Sequence, residues 1–497
     1  MKNKFILILC LCVSVIIPIT NTIAGTNKPN FIIILTDDLG YGDFSCYGAT
    51  DIATPNIDKM AKEGVKLNSF YVSPVCSPSR ASIMTGCYPN RVGITGVLFE
   101  RNNHGLSPKE ITVAELLKEQ GYSTAIIGKW HLGFLPHQSP TKQGFDYWYG
   151  TVTSNNAVFN PKNRKFAANC VYREGLTAAS IMNETKVRCE LTENDEIIEA
   201  PANQPLFTKR YTEKTIKYIK EHKKDPFFIY LAHNMPHIPI YASENFIGTS
   251  KRGEYGDAVQ ELDWGIGEIF KALKEEGLDK NTFVLLTSDN GPSIPHGGKA
   301  GLLRGGKGST FEGGTRVPCI VRWPGKIPAN TVCDYQTTIM DILPTLTKLS
   351  GGSLPQDRTI DGKDIWPLLT DVGNKDAAHE AVYYFRGSQL KGIREGDWKY
   401  EIIHEKDMLT DYKLPKEDEE GLSNGEKKEL IKKRIKEIMG DQKKQEALYH
   451  LRDDIGESNN IINDNPQIAK ELQEKMRAFN EEIKKNARKP QAQKDGI

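Results

Sequence analysis

The sequence predicts an α/β protein: a mostly parallel sheet flanked by helices, followed by a smaller C-terminal α+β domain of short antiparallel sheet plus helix. Three observations carry this reading. Continuous apolar runs at 30–36, 227–232 and 283–288 read as strands buried on both faces. Stretches of helical periodicity alternate with them. Polar, chemistry-bearing residues gather just after the strand ends, the edge at which open α/β sheets bind ligands.

With 497 residues the chain exceeds what one small core serves, and the texture changes near Ile360. This places a catalytic unit at 25–360 and a smaller unit at 361–497. Net charge is +1, so no broad field favours nucleic acid or an anionic membrane, and an anionic substrate must be held by local charges. Residues 1–24 read as a secretory signal: Lys2 and Lys4, an apolar run from Phe5 to Ile19, then Thr22-Ile23-Ala24. The run is short for a bilayer span, and no later stretch is long and apolar enough to make one. The expected destination is export, to the periplasm or beyond. Cys46, Cys87, Cys170, Cys189, Cys319 and Cys333 form an even set beside Cys76, with Cys170–Cys189 the expected disulfide.

In chain order, the first strand ends in Asp37-Asp38, two carboxylates that need a cation or hydrogen bonds if buried. Thr54 to Gly64 carries cap, N1 proline, apolar spacing and terminal glycine, so it is a helix. Val65–Val72 alternates weakly, as a strand leading to Cys76. Val75 to Gly86 opens a helix, with Ser77 and Ser79 as cap candidates, Pro78 in its first turn and Gly86 as its stop. Cys76 then sits at a helix N-terminus, where free N–H groups favour an anion, and Arg80 adds a fixed charge over the same turn. Val113–Gln120 is a helix, and Tyr122–Ile127 a strand that runs into Lys129 and His131. The later strands end in His237 and in Asp289-Asn290. A glycine-rich loop with cations, including Lys307, spans Arg304–Arg316.

Beyond Ile360, Ala381–Phe385, Lys391–Arg394 and Trp398–Ile403 are short strands separated by glycine turns. Lys406–Gln445 is a highly charged mobile or helical insertion, Leu448–Asn463 a turn-rich closing segment, and Ile468–Lys485 an amphipathic helix.

Cys76-x-Pro78-x-Arg80, with the Asp37-Asp38 start, Gly128-Lys129-Trp130-His131, Pro236-His237, Asp289-Asn290-Gly291 and the Lys307–Gly314 loop in this order, resembles the type I, formylglycine-dependent sulfatases. The likeness is greatest to the arylsulfatase and N-acetylgalactosamine-6-sulfatase branch, and it implies an alkaline-phosphatase-like fold. It further implies that a maturation enzyme oxidises Cys76 to formylglycine, whose hydrated form attacks sulfur and later expels sulfate. Asp37, Asp38, Asp289, Asn290 and the position-76 side chain would hold a hard cation, calcium by resemblance, with magnesium also fitting the ligand types. By the same resemblance His131 assists release and Arg80 steadies the diol. Lys129 and Lys307 neutralise the sulfate, His237 protonates the leaving oxygen, and Asp289 is the base. Ser154 matches a hydrogen-bonding position of the substrate site, and His296 is a further substrate-binding candidate.

The implied reaction is hydrolysis of a sulfated carbohydrate, with a terminal 6-O-sulfate on galactose or N-acetylgalactosamine as the specific expectation. The segment Thr151–Pro205 would wall the pocket, with Asn155, Asn156, Asn160 and Arg164 facing sugar hydroxyls. A phosphatase or phosphodiesterase of the same fold, or a non-catalytic glycan-binding relative with an unmatured Cys76, is the alternative. Oligomeric state and the maturation enzyme are not written in these motifs.

Overall fold

The computed structural model describes residues 28–371, 377–405, 408, 422–439 and 444–492; the segment read as a signal lies outside them. Eleven strands form one large sheet. In chain order they are β1 (Asn30–Thr36), β2 (Val65–Leu67), β3 (Ser123–Lys129), β4 (Tyr147–Thr151), β5 (Phe166–Tyr172), β6 (Leu191–Glu193), β7 (Glu196–Ala200), β8 (Phe227–Ala232), β9 (Thr282–Ser288), β10 (Cys319–Arg322) and β11 (Thr331–Cys333). Their spatial order is β11-β2-β10-β9-β1-β8-β3-β4-β6-β7-β5. The run β9-β1-β8-β3-β4 is wholly parallel. Antiparallel pairings bound it on both sides, at β10 and at β6.

The period-two side-chain alternation of β1 shows why its run is apolar throughout. Phe31, Ile33 and Leu35 enter one core, Ile32 and Ile34 the opposite one. Helices α1 (Pro55–Lys62), α4 (Phe207–Glu221) and α5 (Gly253–Glu275) cover the second face. Helices α2 (Cys76–Thr85), α3 (Val113–Glu119) and α6 (Ile342–Leu349) cover the first. Ile365, Leu368 and Leu369 still pack in the first core, five to nine residues beyond the change of texture at 360. The smaller sheet follows, β12 (Ala381–Arg386), β13 (Gln389–Glu395), β14 (Trp398–His404) and β15 (Lys444–His450), antiparallel in that order. Helix α7 (Asn424–Met439) precedes its last strand, and α8 (Pro466–Asn486) lies on the sheet through Ala469, Leu472 and Met476.

Several expectations change at this level. Ser77 and Ser79 are not caps: the residue before α2 is Val75, with no side-chain cap. Ser77 Oγ accepts from the Leu98 N–H at 3.1 Å, and Ser79 Oγ accepts from the Ser73 N–H at 2.9 Å, so both hydroxyls are used in tying loops to the helix. Val65–Val72 is two strands, β2 and a short one at Phe70–Tyr71 in a separate three-stranded sheet. A full strand, β15, runs from the end of the charged insertion into the closing segment, because Lys444–His450 pairs residue by residue with β14. Thr151–Pro205 is not a loop but carries three strands that extend the large sheet. Cys170 and Cys189 do not bond: all seven described cysteines are free, and these two pack in different clusters.

Candidate active site

The carboxyl ends of β1, β3, β8 and β9 converge, as parallel strands require, and each carries its polar residues to one place. Gly128 has φ +117, and a Cβ there would fall 1.8 Å from the Ala232 carbonyl oxygen, so only glycine lets β3 lie against β8 and deliver Lys129. Asp38 and His131 are non-glycine residues in the left-handed region, with φ 66 and 61. Such conformations persist where surrounding structure over-determines them. The turn after β1 is held by buried Asp43, which accepts from the Gly40 N–H at 2.7 Å and the Tyr255 hydroxyl at 2.5 Å. Asp43 went unnoticed in sequence; its position five residues after Asp38 in Asp38-Leu39-Gly40-Tyr41-Gly42-Asp43 was the available signal.

Cys76 is the first residue of α2 and is 2% exposed. Burial pushes its thiol pKa up, against the pull of Lys129 and Lys307. One turn on, Arg80 donates from Nε and Nη2 to Asp289 Oδ2 at 3.0 and 2.8 Å, and from Nη1 to the Lys129 carbonyl at 2.9 Å. Lys129 Nζ lies 2.5 Å from Asp37 Oδ2 and donates to Ser154 Oγ at 3.2 Å. Lys307 Nζ reaches Asp38 Oδ1 at 2.6 Å. Asn290 donates its amide to Asp38 Oδ1 at 2.8 Å, which leaves Asn290 Oδ1 buried with no partner. Asp37 Oδ1 is likewise buried and unpartnered.

These orphaned oxygens test whether a cation fits. Asp37, Asp38 and His237 each offer a ligand atom within 4.8 Å of one another. Asp289 lies beside this group, its Oδ1 accepting from the Asp38 N–H at 3.3 Å and its Oδ2 from Arg80 at 2.8 Å, and Asn290 Oδ1 is a buried amide oxygen without a partner. Burial and Asp37 push the Asp289 carboxyl up, the penalty expected of acids crowded without a cation. Burial acts against the charge of Asp37 too, but Lys129, His237, Arg80 and Lys307 hold its pKa far below the usual range. The oxygen-rich set fits a hard divalent ion. Three carboxylates against Arg80, Lys129 and Lys307 balance, so such an ion leaves a surplus of positive charge for an anionic ester.

The two histidines are set by their hydrogen bonds. His131 Nε2 donates to the Leu98 carbonyl at 2.8 Å, so Nδ1 carries the lone pair, and Nδ1 has no partner. Burial, then Lys129 and Arg80, hold its pKa well below 6.5, so it is neutral and able to accept a proton. His237 Nδ1 donates to the Ile238 carbonyl at 2.6 Å, which leaves Nε2 facing Ser154 Oγ at 3.2 Å and Asp38 Oδ2 at 3.8 Å. Its pKa is lowered, chiefly by burial. Cys76, His131, His237, Lys307 and Ser154 all line one cavity of about 610 Å³.

Two sets of expected residues fall elsewhere. His296 is exposed, accepts or donates with Ser293 Oγ at 2.7 Å, and does not line this cavity. Of the four polar residues expected to face sugar, only Asn156 lines it. Asn155 is buried and donates to the Pro239 carbonyl, Asn160 Oδ1 caps the turn at Lys162, and Arg164 lines a neighbouring cavity.

Residues the sequence did not single out hold the Lys307 loop. Lys399 on β14 is fully buried and lies 3.1 Å from Glu312 Oε1 and 2.7 Å from Glu457 Oε1. It also donates to the Thr310 carbonyl at 2.9 Å, while Glu457 Oε2 accepts from the Glu312 N–H at 2.6 Å. Phe311, covered by the Arg304 guanidinium at 3.8 Å, packs with Ile403, Ile435 and Tyr449 of the smaller domain.

The family description Sulfatase matches residues 29–352. Human steryl-sulfatase is 37% identical over 433 residues, 74% of either chain. Rat N-acetylgalactosamine-6-sulfatase is 40% identical over 387 residues, 75% of this chain and 71% of that one. The solved structure of Ps i-CgsB in complex with k-i-k-neocarrahexaose superposes with a TM-score of 0.73 at 27% identity, covering 94% of each chain.

Proposed function

The chain belongs to the sulfatase family and is a sulfuric ester hydrolase; from that premise we propose that it removes sulfate from a sulfated carbohydrate, using a formylglycine made from Cys76 and a calcium ion. The proposed specific substrate is a terminal 6-O-sulfate on galactose or N-acetylgalactosamine, and the proposed location is outside the cytoplasm after loss of residues 1–24. The observation that carries this reading is the one cavity into which Cys76, His131, His237 and Lys307 all open, above buried oxygens without partners. The likeness to N-acetylgalactosamine-6-sulfatase supports the sugar and the position. A primary sulfate also reaches the floor of a pocket with least crowding of its ring.

Asp37, Asp38, Asp289 and Asn290 would hold the cation. When present, the ion supplies charge stabilisation to a sulfate oxygen, and the hydrated aldehyde supplies a nucleophile whose second hydroxyl gives sulfate an exit. The rest falls to the protein. Lys129 and Lys307 place positive charge where the sulfate oxygens gather charge at the transition state. Arg80, fixed by both the Asp289 carboxylate and the Lys129 carbonyl, holds the start of α2 against the strand ends. Neutral His131 presents the unpartnered Nδ1 as a proton acceptor in the cavity that Cys76 also lines. His237, which lines the same cavity, presents Nε2 toward Ser154 and Asp38 and passes a proton to the leaving oxygen.

Mass spectrometry of the peptide containing position 76 tests the modification, with a loss of about 18 Da expected from oxidation of the thiol to the aldehyde. Cys76→Ala is expected to abolish turnover, and activity within tenfold of wild type overturns the assignment. On a panel of mono- and disaccharides, release is expected from 6-O-sulfated chain ends. Preference for 2-O- or 4-O-sulfate, or release of internal sulfates from intact polymer, overturns the specific substrate.

A further inference from the structure

Above its catalytic floor, the cavity changes character. Its walls are largely apolar, with Val97, Phe159 and the unusually exposed Phe99 and Val158, 46% and 42% accessible. Two cations, Arg101 and Lys186, stand among them. Both are exposed, and neither forms an ion pair with any described residue. By contrast, exposed Lys118 and Lys165 pair with Asp146 and Glu196. The one acid in this lining, Glu100, is already engaged: it accepts from the Asn160 N–H at 2.9 Å and lies 3.6 Å from Arg164. The mouth therefore carries two positive charges that no described residue answers.

Phe99 and Arg101 are coupled. The Arg101 guanidinium carbon lies 4.6 Å from the Phe99 ring centroid. An arginine laid on an aromatic face loses less freedom on binding, and its outward N–H groups suit a carboxylate or sulfate bidentately. Flat apolar walls suit the C–H face of a pyranose ring, and a volume of about 610 Å³ exceeds what one sulfated sugar fills.

We propose that Arg101 and Lys186, with Phe99 as a ring platform, form a second anionic subsite, so that the leaving group of the substrate is itself an acidic saccharide. The second charge is either another sulfate on the same sugar or the carboxylate of a neighbouring uronic unit. The proposal rests on the carbohydrate reading and sharpens it. Each exposed cation–anion contact is modest, so the two together raise kcat/KM by about tenfold at low salt, mainly through KM, and the preference shrinks as salt rises.

The experiment measures kcat/KM on four substrates: N-acetylgalactosamine 6-sulfate, its 4,6-disulfate, a 6-sulfated disaccharide bearing a free uronate, and that disaccharide's methyl ester. Wild type and the Arg101→Ala, Lys186→Ala double variant are compared at two salt concentrations. Because the readout is the ratio between substrates, a loss common to all of them through misfolding cancels. A roughly tenfold preference for the disulfate over the monosulfate, or for the free uronate over its ester, falling to near parity in the double variant, supports the subsite and names its anion. Equal rates in wild type, or a preference that survives in the double variant, overturn it while the carbohydrate reading stands. Turnover of none of the four overturns both.

Discussion

His237 has its Nδ1 proton committed to the Ile238 carbonyl, so any proton it gives to a leaving oxygen must come from Nε2. Burial holds its pKa below 6.5, so in the free enzyme the acid form is abundant only on the acidic side of that value. For sugar-alcohol leaving groups, kcat/KM is expected to fall as pH rises through this range. Activated aryl sulfates, which leave without a proton, should not follow that limb. His237→Ala should likewise cost sugar sulfates at least a hundredfold more than aryl sulfates; equal losses would assign His237 to sulfate binding instead. At the same scale, Asp37, Asp38 and Asp289 crowd one another, so chelation is expected to lower both activity and Tm, and calcium to restore both. Elemental analysis that finds zinc or no metal in active protein contradicts this. These residues were legible because each follows a strand end in a short motif. Asp43 and Leu98 were not, since one acts through hydrogen bonds to a turn and the other only through its backbone carbonyl.

Among elements, helix α1 shows how local reading falls short. Thr54 has the residue type of a cap, yet its Oγ1 accepts from no helix N–H and instead accepts from the Ser45 N–H at 2.9 Å. The N–H of Ile57 instead donates to Asp263 Oδ1 at 2.8 Å, and the Asn56 side chain to Oδ2 at 2.9 Å, both from helix α5. A cap lent by a helix two hundred residues away leaves no trace in the sequence around α1. Burial pushes the Asp263 carboxyl up to about 6 from 3.8, against those hydrogen bonds. A carboxyl raised on folding contributes most below its unfolded pKa, and that contribution is lost as pH rises through about 6. Asp263→Ala is expected to cost about 2 kcal/mol in urea unfolding, because three donors, the N–H groups of Asn56 and Ile57 and the Asn56 side-chain amide, lose their acceptor. Asp263→Asn keeps an acceptor, so it should stay within about 1 kcal/mol of wild type and lose the stability decline between pH 4 and 6. A decline that persists in the Asn variant refutes the assignment. The strands fared better: the cores of β1, β3, β8 and β9 could be read because burial on both faces demands unbroken apolar runs. The strands toward one edge of the sheet, β6, β7 and β5, are half-polar and carry no such mark.

Across the whole molecule, the smaller domain is more than a cover, since it clamps the loop that carries Lys307. Lys399 and Glu312 lie 87 positions apart, and Glu312 and Glu457 145 apart, which is why no window of sequence reveals the cluster. Lys399→Met leaves buried Glu457 without its cation, while Glu312 keeps Tyr71, Arg316 and Arg394, and is expected to cost about 3 kcal/mol. In the fraction that folds, Lys307 loses its anchorage, so KM for sulfate esters should rise several-fold, and Lys399→Arg should recover part of both. An unchanged KM in folded Lys399→Met would confine the cluster to stability. A different consequence follows from the burial of α2, all ten of whose residues are inaccessible. No macromolecule can reach the Cys76 sulfur once this helix has docked, so any enzymatic conversion there has a deadline. Under the proposed conversion, chain that collapses first keeps its thiol. The active fraction then records a race between two clocks, and it rises when folding is slowed, as by cooling during synthesis, and falls when chains are made faster than they can be processed.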